Sequence, residues 1–220
     1  MPSLKDLIDR NHAWSDRVQE QDPAFFSRLS EQQAPEYLWI GCSDSRVPAN
    51  QIIDLPPGQV FVHRNVANVV AHSDLNCLSV IQFAVDVLRV KHIIVVGHYG
   101  CGGVHAVLED RRLGLVDNWL QHVRDVRHRH APLIDALDPL ARVDRLCELN
   151  AIEQAANVCQ MTVVQDAWLR GQSLTVHAWC YSLRDGKVRD IGFDADNLEQ
   201  LPEQYLRAVR HLSPDEESAA

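Results

Sequence analysis

The stretch Tyr37-Leu38-Trp39-Ile40-Gly41-Cys42-Ser43-Asp44-Ser45-Arg46 joins an apolar run to a group of polar and metal-binding side chains. A second stretch repeats the arrangement, because the apolar run 93–96 is followed by His98-Tyr99-Gly100-Cys101-Gly102-Gly103. Short apolar runs of this kind are typical of buried strands. The two stretches therefore predict two strands that both end in candidate metal ligands.

The rest of the chain alternates between strand patterns and helix patterns. Strands are predicted at about 37–41, 59–63, 92–97 and 174–181. This alternation predicts an α/β fold with a mostly parallel β-sheet flanked by helices, in which ligands gather beyond the carboxyl ends of the strands. The stretch after Asp185-Gly186 is acidic and only weakly periodic, and we assign no element there. Two helices are indicated by apolar residues at helical spacing, namely Leu75, Leu78, Ile81, Val85 and Leu88, and then Leu146, Leu149, Ile152 and Cys159.

The length and composition favour a single domain over residues 1–220. A chain of 220 residues that is 46% hydrophobic can bury one substantial core, and no linker or repeat interrupts it. The final residues, about 212–220, are predicted to be disordered. A helical arm is predicted over about 1–34, from the shared helical face of Leu4, Leu7 and Ile8 and from a second helix that begins at Asp22-Pro23 and turns Phe25, Phe26 and Leu29 inward.

The net charge of −9 argues against a nucleic-acid partner, because phosphate binding needs a basic face. The N-terminal residues lack the apolar region of a signal peptide, and no apolar run approaches the roughly twenty residues that span a bilayer. We therefore expect no membrane partner and a cytoplasmic protein. In that compartment the six cysteines are expected to be thiols. Buried small hydrophobes are the favoured interpretation of the four cysteines outside the two motifs, Cys77, Cys147, Cys159 and Cys180.

Cys42, His98, Cys101 and Asp44 together form a candidate zinc site. Two thiolates with one imidazole select zinc among the common cellular metals, and a catalytic zinc keeps a fourth position that can hold water. Asp44 is the candidate for that position, but Arg46 two residues on offers its carboxylate a bidentate ion pair. The site is therefore predicted to switch between two states.

Two other interpretations of these residues remain open. They could form a closed structural zinc site, or the cysteines could be small buried hydrophobes. Structural zinc ligands usually occur as CxxC pairs in small domains, whereas these motifs follow separate strands of a well-cored chain. Among the eleven histidines only His98 is assigned to zinc. His63 and His177 are expected to be hydrogen-bonded structural residues, His105 to be a surface residue or a proton shuttle, and the basic tract 124–130 to be a solvated helix face.

CSDSR followed about fifty residues later by HxxCGG is similar to the β-class carbonic anhydrases, and in particular resembles the bacterial, bicarbonate-regulated type II subgroup. The resemblance covers most of the chain. It extends over the segments 36–48, 61–68, 74–87, 147–150 and 175–181.

The resemblance implies reversible hydration of carbon dioxide to bicarbonate and a proton, with one zinc ion per chain. It implies that Asp44, paired with Arg46, orients the attacking hydroxide. Because two thiolates and an imidazole leave the zinc formally neutral, its water is expected to ionise less readily than at a three-histidine site, and activity is expected to rise at alkaline pH. Gly102 and Gly103 are expected to allow close approach to the metal pocket, with the Gly102 amide donating to substrate. Gln33 and Phe61 match positions that line the family's pocket.

Trp39, Arg64 and Tyr181 match a non-catalytic bicarbonate pocket of the regulated subgroup, where bound bicarbonate inhibits by favouring the state with Asp44 on zinc. Val87 agrees with that assignment, because the other subgroup carries a tyrosine there. Core aromatics and an Arg64 paired to a carboxylate form the alternative. The resemblance also implies that the helical arm packs on a partner subunit, in a homodimer or a tetramer made of two dimers.

Two other functions remain open. A carbon disulfide or carbonyl sulfide hydrolase resembles this family in fold and in zinc ligands. A non-catalytic zinc protein, regulatory or redox-switching, would result if Asp44 closed the site permanently.

Overall fold

The computed structural model describes residues 3–31 and 33–213. The chain divides into two compact units, Met1–Ala34 and Pro35–Ala220. Leu212 is buried and belongs to the second unit, so the predicted tail does not begin at residue 212. The remainder of that predicted tail, 214–220, lies outside the described residues.

The first unit consists of two helices, as the sequence predicts: α1 (Leu4–Gln21) and α2 (Phe25–Glu31). Ser3 begins α1 with a capping box, in which the Asp6 amide donates to Ser3 Oγ (3.2 Å) and the Ser3 amide donates to the Asp6 carboxylate (2.6 Å). The two helices meet through Trp14 and Phe26, whose ring centroids lie 5.6 Å apart. None of the described residues of either helix is buried, so Leu29 does not face inward as expected.

The second unit is built on a five-stranded sheet in the described residues, with the order β2-β1-β3-β4-β5. The strands are β1 (Tyr37–Cys42), β2 (Val60–Asn65), β3 (His92–His98), β4 (Thr175–Tyr181) and β5 (Val188–Ala195). The first four are parallel and agree with the four predicted strands, while β5 pairs antiparallel with β4. The predicted α/β fold with a mostly parallel sheet and flanking helices is confirmed.

Helices connect the strands and cover the sheet. The predicted helix at Leu75 is α4 (Leu75–Gln82), which runs into a π-helical turn (Phe83–Val87). The predicted helix around Leu146 is α8 (Pro139–Cys159), the longest of the described helices. The others are α3 (Ala49–Ile52), a 3₁₀ turn (Val66–Asn68), α5 (Gly102–Leu108), α6 (Val116–Arg129), α7 (Ala131–Asp135), α9 (Thr162–Leu169) and α10 (Leu201–His211).

Alternating side chains of the strands enter two apolar clusters on the two faces of the sheet. Leu38 and Ile40 of β1 pack in the larger cluster together with α8, whereas Trp39 packs in the smaller one. Cys42 ends β1 inside the larger cluster, and His98 ends the neighbouring strand β3. Since parallel strands end at the same edge, this arrangement brings the two motifs together.

No element is predicted after Asp185-Gly186, but the structure contains β5 and α10 there. In β5 the buried residues Ile191 and Phe193 do alternate, yet Gly192 adopts a positive φ of 77° and the register with β4 shifts near Ala178. The alternating residues are few and lie in an acidic stretch, so the strand pattern is short. The helix α10 has a clear apolar face and could have been predicted from its spacing.

Candidate metal centre and its surroundings

Cys42, His98 and Cys101 form a compact buried cluster at the carboxyl edge of the sheet. Their relative exposures are 5%, 0% and 2%. The two sulfur atoms lie 3.9 Å apart, and the three ligand atoms all lie within 4.8 Å of one another. Among the described residues this is the one group of three or more histidine, cysteine or acidic side chains with metal-binding geometry. The structure therefore brings together three of the four residues that the sequence assigns to zinc.

The geometry of the cluster fits a zinc ion. Two thiolates at about 2.3 Å from a tetrahedral zinc lie about 3.8 Å apart, close to the separation of the two sulfurs here. Both ring nitrogens of His98 are buried and have no hydrogen-bond partner within the described part of the chain. A buried polar atom without a partner is costly, and coordination of a metal would satisfy one of these nitrogens.

The environment of the two sulfurs is unequal. The hydrogen bond shared with Cys101 lowers the pKa of Cys42 despite burial, and the neighbouring His98 ring and the backbone of Asp44 and Ala67 lower it further. The same hydrogen bond and burial raise the pKa of Cys101 well above its usual range. The bond between the two sulfurs therefore stabilises one thiolate within the buried pair.

Asp44 lies beside this cluster and is held by Arg46. The guanidinium donates to the carboxylate through Nε (2.9 Å) and Nη2 (2.7 Å), and the Arg46 amide donates as well (2.9 Å). These bonds outweigh burial and hold the pKa of Asp44 well below its usual range. Asp44 Oδ2 is 3.8 Å from His98 Nε2, close to the cluster but outside its ligand set. The role of Asp44 as fourth ligand stays a prediction.

The predicted pocket residues have different surroundings. Phe61 of β2 is half-buried and lies 5.8 Å from the ring of Phe83. Gly102 begins α5 in open space, so its backbone is accessible. A Cβ on Gly103 would lie 3.2 Å from the Ala67 Cβ and would crowd the packing of α5, and the expected role of Gly103 beside the metal pocket stays a prediction. Gln33 is exposed in the first unit, and its pocket role stays a prediction.

The predicted bicarbonate residues lie on three strands. Trp39 is fully buried, and its Nε1 has no hydrogen-bond partner in the described ranges. The neighbouring Gly41 leaves space for this nitrogen, because a Cβ on Gly41 would collide with it. Tyr181 is half-buried and packs against the same apolar cluster. Arg64 pairs in register with Gly41 and donates to the carbonyls of Cys42 (Nε, 2.9 Å) and Asp44.

His63, His177 and the cysteines outside the cluster agree with structural roles. His63 Nε2 lies 3.2 Å from Asn65 Nδ2, and His177 Nε2 lies 3.1 Å from His92 Nδ1. Burial lowers the pKa of both His63 and His177. All six cysteines lie in the described ranges, are buried and are free thiols. Burial raises the pKa of the four that are outside the cluster, Cys77, Cys147, Cys159 and Cys180.

The basic tract 124–130 is only partly a solvated helix face, so that expectation is corrected. Arg124 Nη1 donates to Asp110 (2.8 Å), and His130 is buried with Nε2 2.7 Å from Glu153. Arg129 also pairs with Glu153. These carboxylates account for the charge of the tract without a bound anion or metal.

Sequence reasoning missed the turn that supports Cys42. Ala67 lies in the 3₁₀ turn after β2, and its carbonyl accepts a hydrogen bond from Asn150 of α8 (2.8 Å). An alanine in a short turn has no side-chain property from which the sequence could predict this contact. A buried asparagine within an apolar helix pattern was the one signal that could have indicated this contact.

Comparison with known proteins shows which protein family the chain resembles. Residues 37–188 match the family model described as carbonic anhydrase. A carbonic anhydrase of Emericella nidulans is 48% identical over 86% of this chain and 83% of its own length. A Coccomyxa β-carbonic anhydrase in complex with acetazolamide has a TM-score of 0.87 and 40% identity, with 92% of each chain covered. One of two tetrameric β-carbonic anhydrases of Sordaria macrospora has a TM-score of 0.82 and 40% identity, over 87% of this chain and 98% of that one.

The chain belongs to the β-class carbonic anhydrase family and is an enzyme of that class. The similar proteins from Emericella and Sordaria are fungal, so the bacterial origin and the regulated subgroup stay predictions. Within the described residues, no helix is both long and apolar enough to cross a membrane.

Proposed function

We propose that the chain catalyses the reversible hydration of carbon dioxide at one zinc ion held by Cys42, His98 and Cys101, with Asp44 and Arg46 controlling access to the metal. The observation that carries this proposal is the buried cluster of two thiols and an imidazole whose nitrogens have no partner among the described residues. Such a donor set suits zinc, and family membership supports the reaction. When bound, zinc supplies a Lewis acid that makes water a nucleophile at moderate pH.

Asp44 is the residue that orients the attacking water. Its carboxylate remains ionised through neutral and alkaline pH, because the hydrogen bonds from Arg46 lower its pKa. An ionised carboxylate is a hydrogen-bond acceptor, and it can direct the proton of water away from the substrate. Gly102 and Phe61 complete the proposed pocket, the first with an accessible amide that donates to a substrate oxygen and the second with an apolar wall.

Arg46 keeps Asp44 in this role. Released from Arg46, the carboxylate lies close enough to His98 to enter the ligand set, where it would exclude water. In one state Asp44 pairs with Arg46, and in the other it enters the metal ligand set. Any condition that weakens the ion pair should reduce activity at neutral pH, where hydroxide competes poorly with the carboxylate.

Bicarbonate bound by Trp39, Arg64 and Tyr181 is the proposed inhibitor. Trp39 offers a buried donor that lacks a partner in the described chain, and Arg64 offers a cation at the same face of the sheet. Arg64 also donates to the Asp44 carbonyl, so an anion that recruits this guanidinium withdraws support from the Asp44 loop. Coupling of this kind is typically about 1–3 kcal/mol. In this proposal the chain belongs to the regulated subgroup.

Assembly and location complete the proposal. A homodimer or a tetramer is supported by the tetrameric assembly of the similar Sordaria enzyme and by exposed apolar residues of the first unit, such as Leu4 and Ile8. The net charge of −9 supports small-molecule rather than nucleic-acid partners. A cytoplasmic location remains our proposal.

Stopped-flow hydration of carbon dioxide from pH 6.5 to 9 tests the reaction, and added bicarbonate tests the second site. We expect activity to rise towards alkaline pH and bicarbonate to inhibit most strongly near neutrality. Tyr181→Phe and Arg64→Ala should relieve this inhibition by about tenfold in bicarbonate concentration. Absence of hydration would contradict the reaction. Inhibition that is competitive and unchanged in a folded Arg64→Ala protein would contradict the second site alone.

A further inference from the structure

The short loop between His98 and Cys101 joins two of the three clustered residues. It consists of Tyr99 and Gly100, and Gly100 adopts a positive φ of 72°. A Cβ on Gly100 would meet no atom within 4 Å, so side-chain packing does not hold the loop at that residue. Cys101 is the N-cap of α5, and its carbonyl accepts from the His105 amide (3.0 Å). Within the loop, Tyr99 is therefore the residue through which the rest of the fold can fix its position.

Tyr99 has three contacts with other parts of the second unit. Its amide donates to the Tyr181 carbonyl (2.9 Å), next to the last registered pair of β3 and β4. Its hydroxyl donates to Glu148 Oε1 (2.7 Å) on α8. Arg189 Cζ lies 5.5 Å from the centre of the Tyr99 ring, a distance at which a cation is attracted to an aromatic face. The backbone, the hydroxyl and the ring of Tyr99 thus each have a partner.

Helix α8 contacts the chain on both sides of His98. A Cβ on Gly97 would lie 2.9 Å from the Cys147 carbonyl oxygen, so the helix lies against the strand one residue before His98. One residue after His98, the Tyr99 hydroxyl bonds Glu148, which follows Cys147 in the helix. Two consecutive residues of α8 therefore contact the two residues that flank this candidate ligand.

The Glu148 side chain is itself held in place. It is 15% exposed, and its second oxygen, Oε2, lies 3.2 Å from Arg145 Nε, which is three residues earlier on α8. Both carboxyl oxygens thus have a partner, and these contacts restrict rotation of the side chain. Glu148 therefore provides Tyr99 with a fixed acceptor on the longest of the described helices.

We infer that Glu148 is a positioning residue for the metal site: through the Tyr99 hydroxyl it fixes the loop that separates His98 from Cys101. The inference rests on the proposed metal site. A purely structural bond would only satisfy two partly buried polar groups. A positioning bond in addition keeps two ligands at the separation that a tetrahedral zinc requires, so that metal binding does not first have to order the loop.

The test compares Tyr99→Phe with a matched control, Tyr205→Phe. Both changes remove a tyrosine hydroxyl that donates to a glutamate of α8, Glu148 in the first case and Glu153 in the second. Zinc affinity is measured by competition with a chelator, and ligand geometry by the visible absorption bands of the cobalt(II) protein. We expect Tyr99→Phe to bind zinc about tenfold more weakly, as for other groups that support metal ligands, and to have altered cobalt bands. Tyr205→Phe should keep both properties, although both variants should lose stability in urea.

Variants of Glu148 separate positioning from packing. Glu148→Ala removes the acceptor and should reproduce the loss of affinity seen in Tyr99→Phe. The double variant should lose no more than either single one, because all three lack the same bond. Glu148→Gln keeps a carbonyl oxygen that accepts from the Tyr99 hydroxyl, so it should retain most of the zinc affinity.

A folded Tyr99→Phe protein with unchanged zinc affinity and unchanged cobalt bands would overturn the inference. So would equal weakening in Tyr205→Phe, additive losses in the double variant, or a loss in Glu148→Gln as large as that in Glu148→Ala. If Tyr99→Phe does not fold, Glu148→Ala is judged by the same criteria. If the unsubstituted chain itself binds neither zinc nor cobalt, the proposed metal site fails, which is a distinct outcome.

Discussion

Two groups of buried polar side chains in the larger unit differ in how their hydrogen-bonding capacity is used. Glu153 is 4% exposed, and both of its oxygens are paired, with His130 Nε2 (2.7 Å), Arg129 and Tyr205. His98 is 0% exposed, and neither ring nitrogen has a partner in the part of the chain that the structure describes. Burial of polar groups is common to both. They differ in that the His98 ring has hydrogen-bonding capacity that no described protein group uses, and a bound ligand would satisfy it.

The two groups also differ in their place in the fold. Glu153 lies on α8 and receives bonds from residues at the end of α6 and on α10, so it joins three helices. We refer to Glu153, His130, Arg129 and Tyr205 as the helix junction. The metal cluster lies at the carboxyl edge of the sheet, where open α/β folds bind ligands. A paired buried charge contributes to packing, whereas an imidazole with no hydrogen-bond partner in the described residues, beside two thiols, is suited to binding a metal.

The largest effect is expected for His98→Ala. It removes a ligand, so zinc should be lost and carbon dioxide hydration should fall by about three orders of magnitude or more, equivalent to several kcal/mol of barrier. The sheet should remain folded, because its core buries apolar residues independently of the metal. Metal analysis, circular dichroism and stopped-flow rates measure the three properties.

The matched control for that change is His130→Ala in the helix junction. It should weaken folding and leave the zinc content at one per chain. If His98→Ala retained full zinc, or if both variants lost zinc equally, the distinction between the two groups would not hold.

The next effect is on stability. Glu153→Ala leaves the buried His130 and the Tyr205 hydroxyl without their acceptor, and an unsatisfied buried donor typically costs about 1–3 kcal/mol of the free energy of unfolding. Urea unfolding should show this loss. In the variant that remains folded, the hydration rate per bound zinc should be unchanged. A selective loss of activity at normal stability would mean that the junction belongs to the active site.

A smaller effect is expected for Arg46→Ala, which frees Asp44. Zinc should remain bound, and hydration at neutral pH should fall about 10–100-fold, the usual range for a residue that supports a metal ligand. Arg170→Ala, which breaks a comparable ion pair with Asp86 (2.8 Å), is the control and should have normal activity. Normal hydration by Arg46→Ala would remove the Asp44–Arg46 pair from the mechanism.

The smallest effect concerns acid stability. Burial raises the pKa of Glu153, but the bonds from His130, Tyr205 and Arg129 outweigh it, so the pKa is lowered overall. A carboxyl group with a lowered folded-state pKa contributes stability above its unfolded pKa of about 4.3. That contribution is lost as pH falls through the folded-state value. Stability measured from pH 6 to 3 should therefore fall less steeply in Glu153→Gln, and equal slopes would contradict the assignment.

The metal cluster was predictable from sequence because its ligands lie at the ends of apolar strands. The carboxyl ends of parallel strands share one edge of the sheet, so Cys42 and His98 were expected to lie close together. The helix junction was not predictable, because Glu153 and Tyr205 lie 52 residues apart and neither lies in a motif. The Ala67 carbonyl accepts a hydrogen bond from Asn150, 83 residues later, and local propensity does not predict such a contact. The strand β5 was missed although Ile191, Phe193 and Ala195 are buried at alternate positions, because this short pattern lies in an acidic stretch.

The cluster Cys42, His98 and Cys101 is central to the proposed function, because it would hold the zinc ion at which carbon dioxide is hydrated. The most direct test follows hydration at pH 8.5 by stopped flow while zinc is removed with a chelator and then returned in known amounts. We predict that activity disappears with the metal and recovers linearly up to one zinc per chain. Full activity in the metal-free protein, or recovery that continues to two zinc ions per chain, would contradict this role of the cluster.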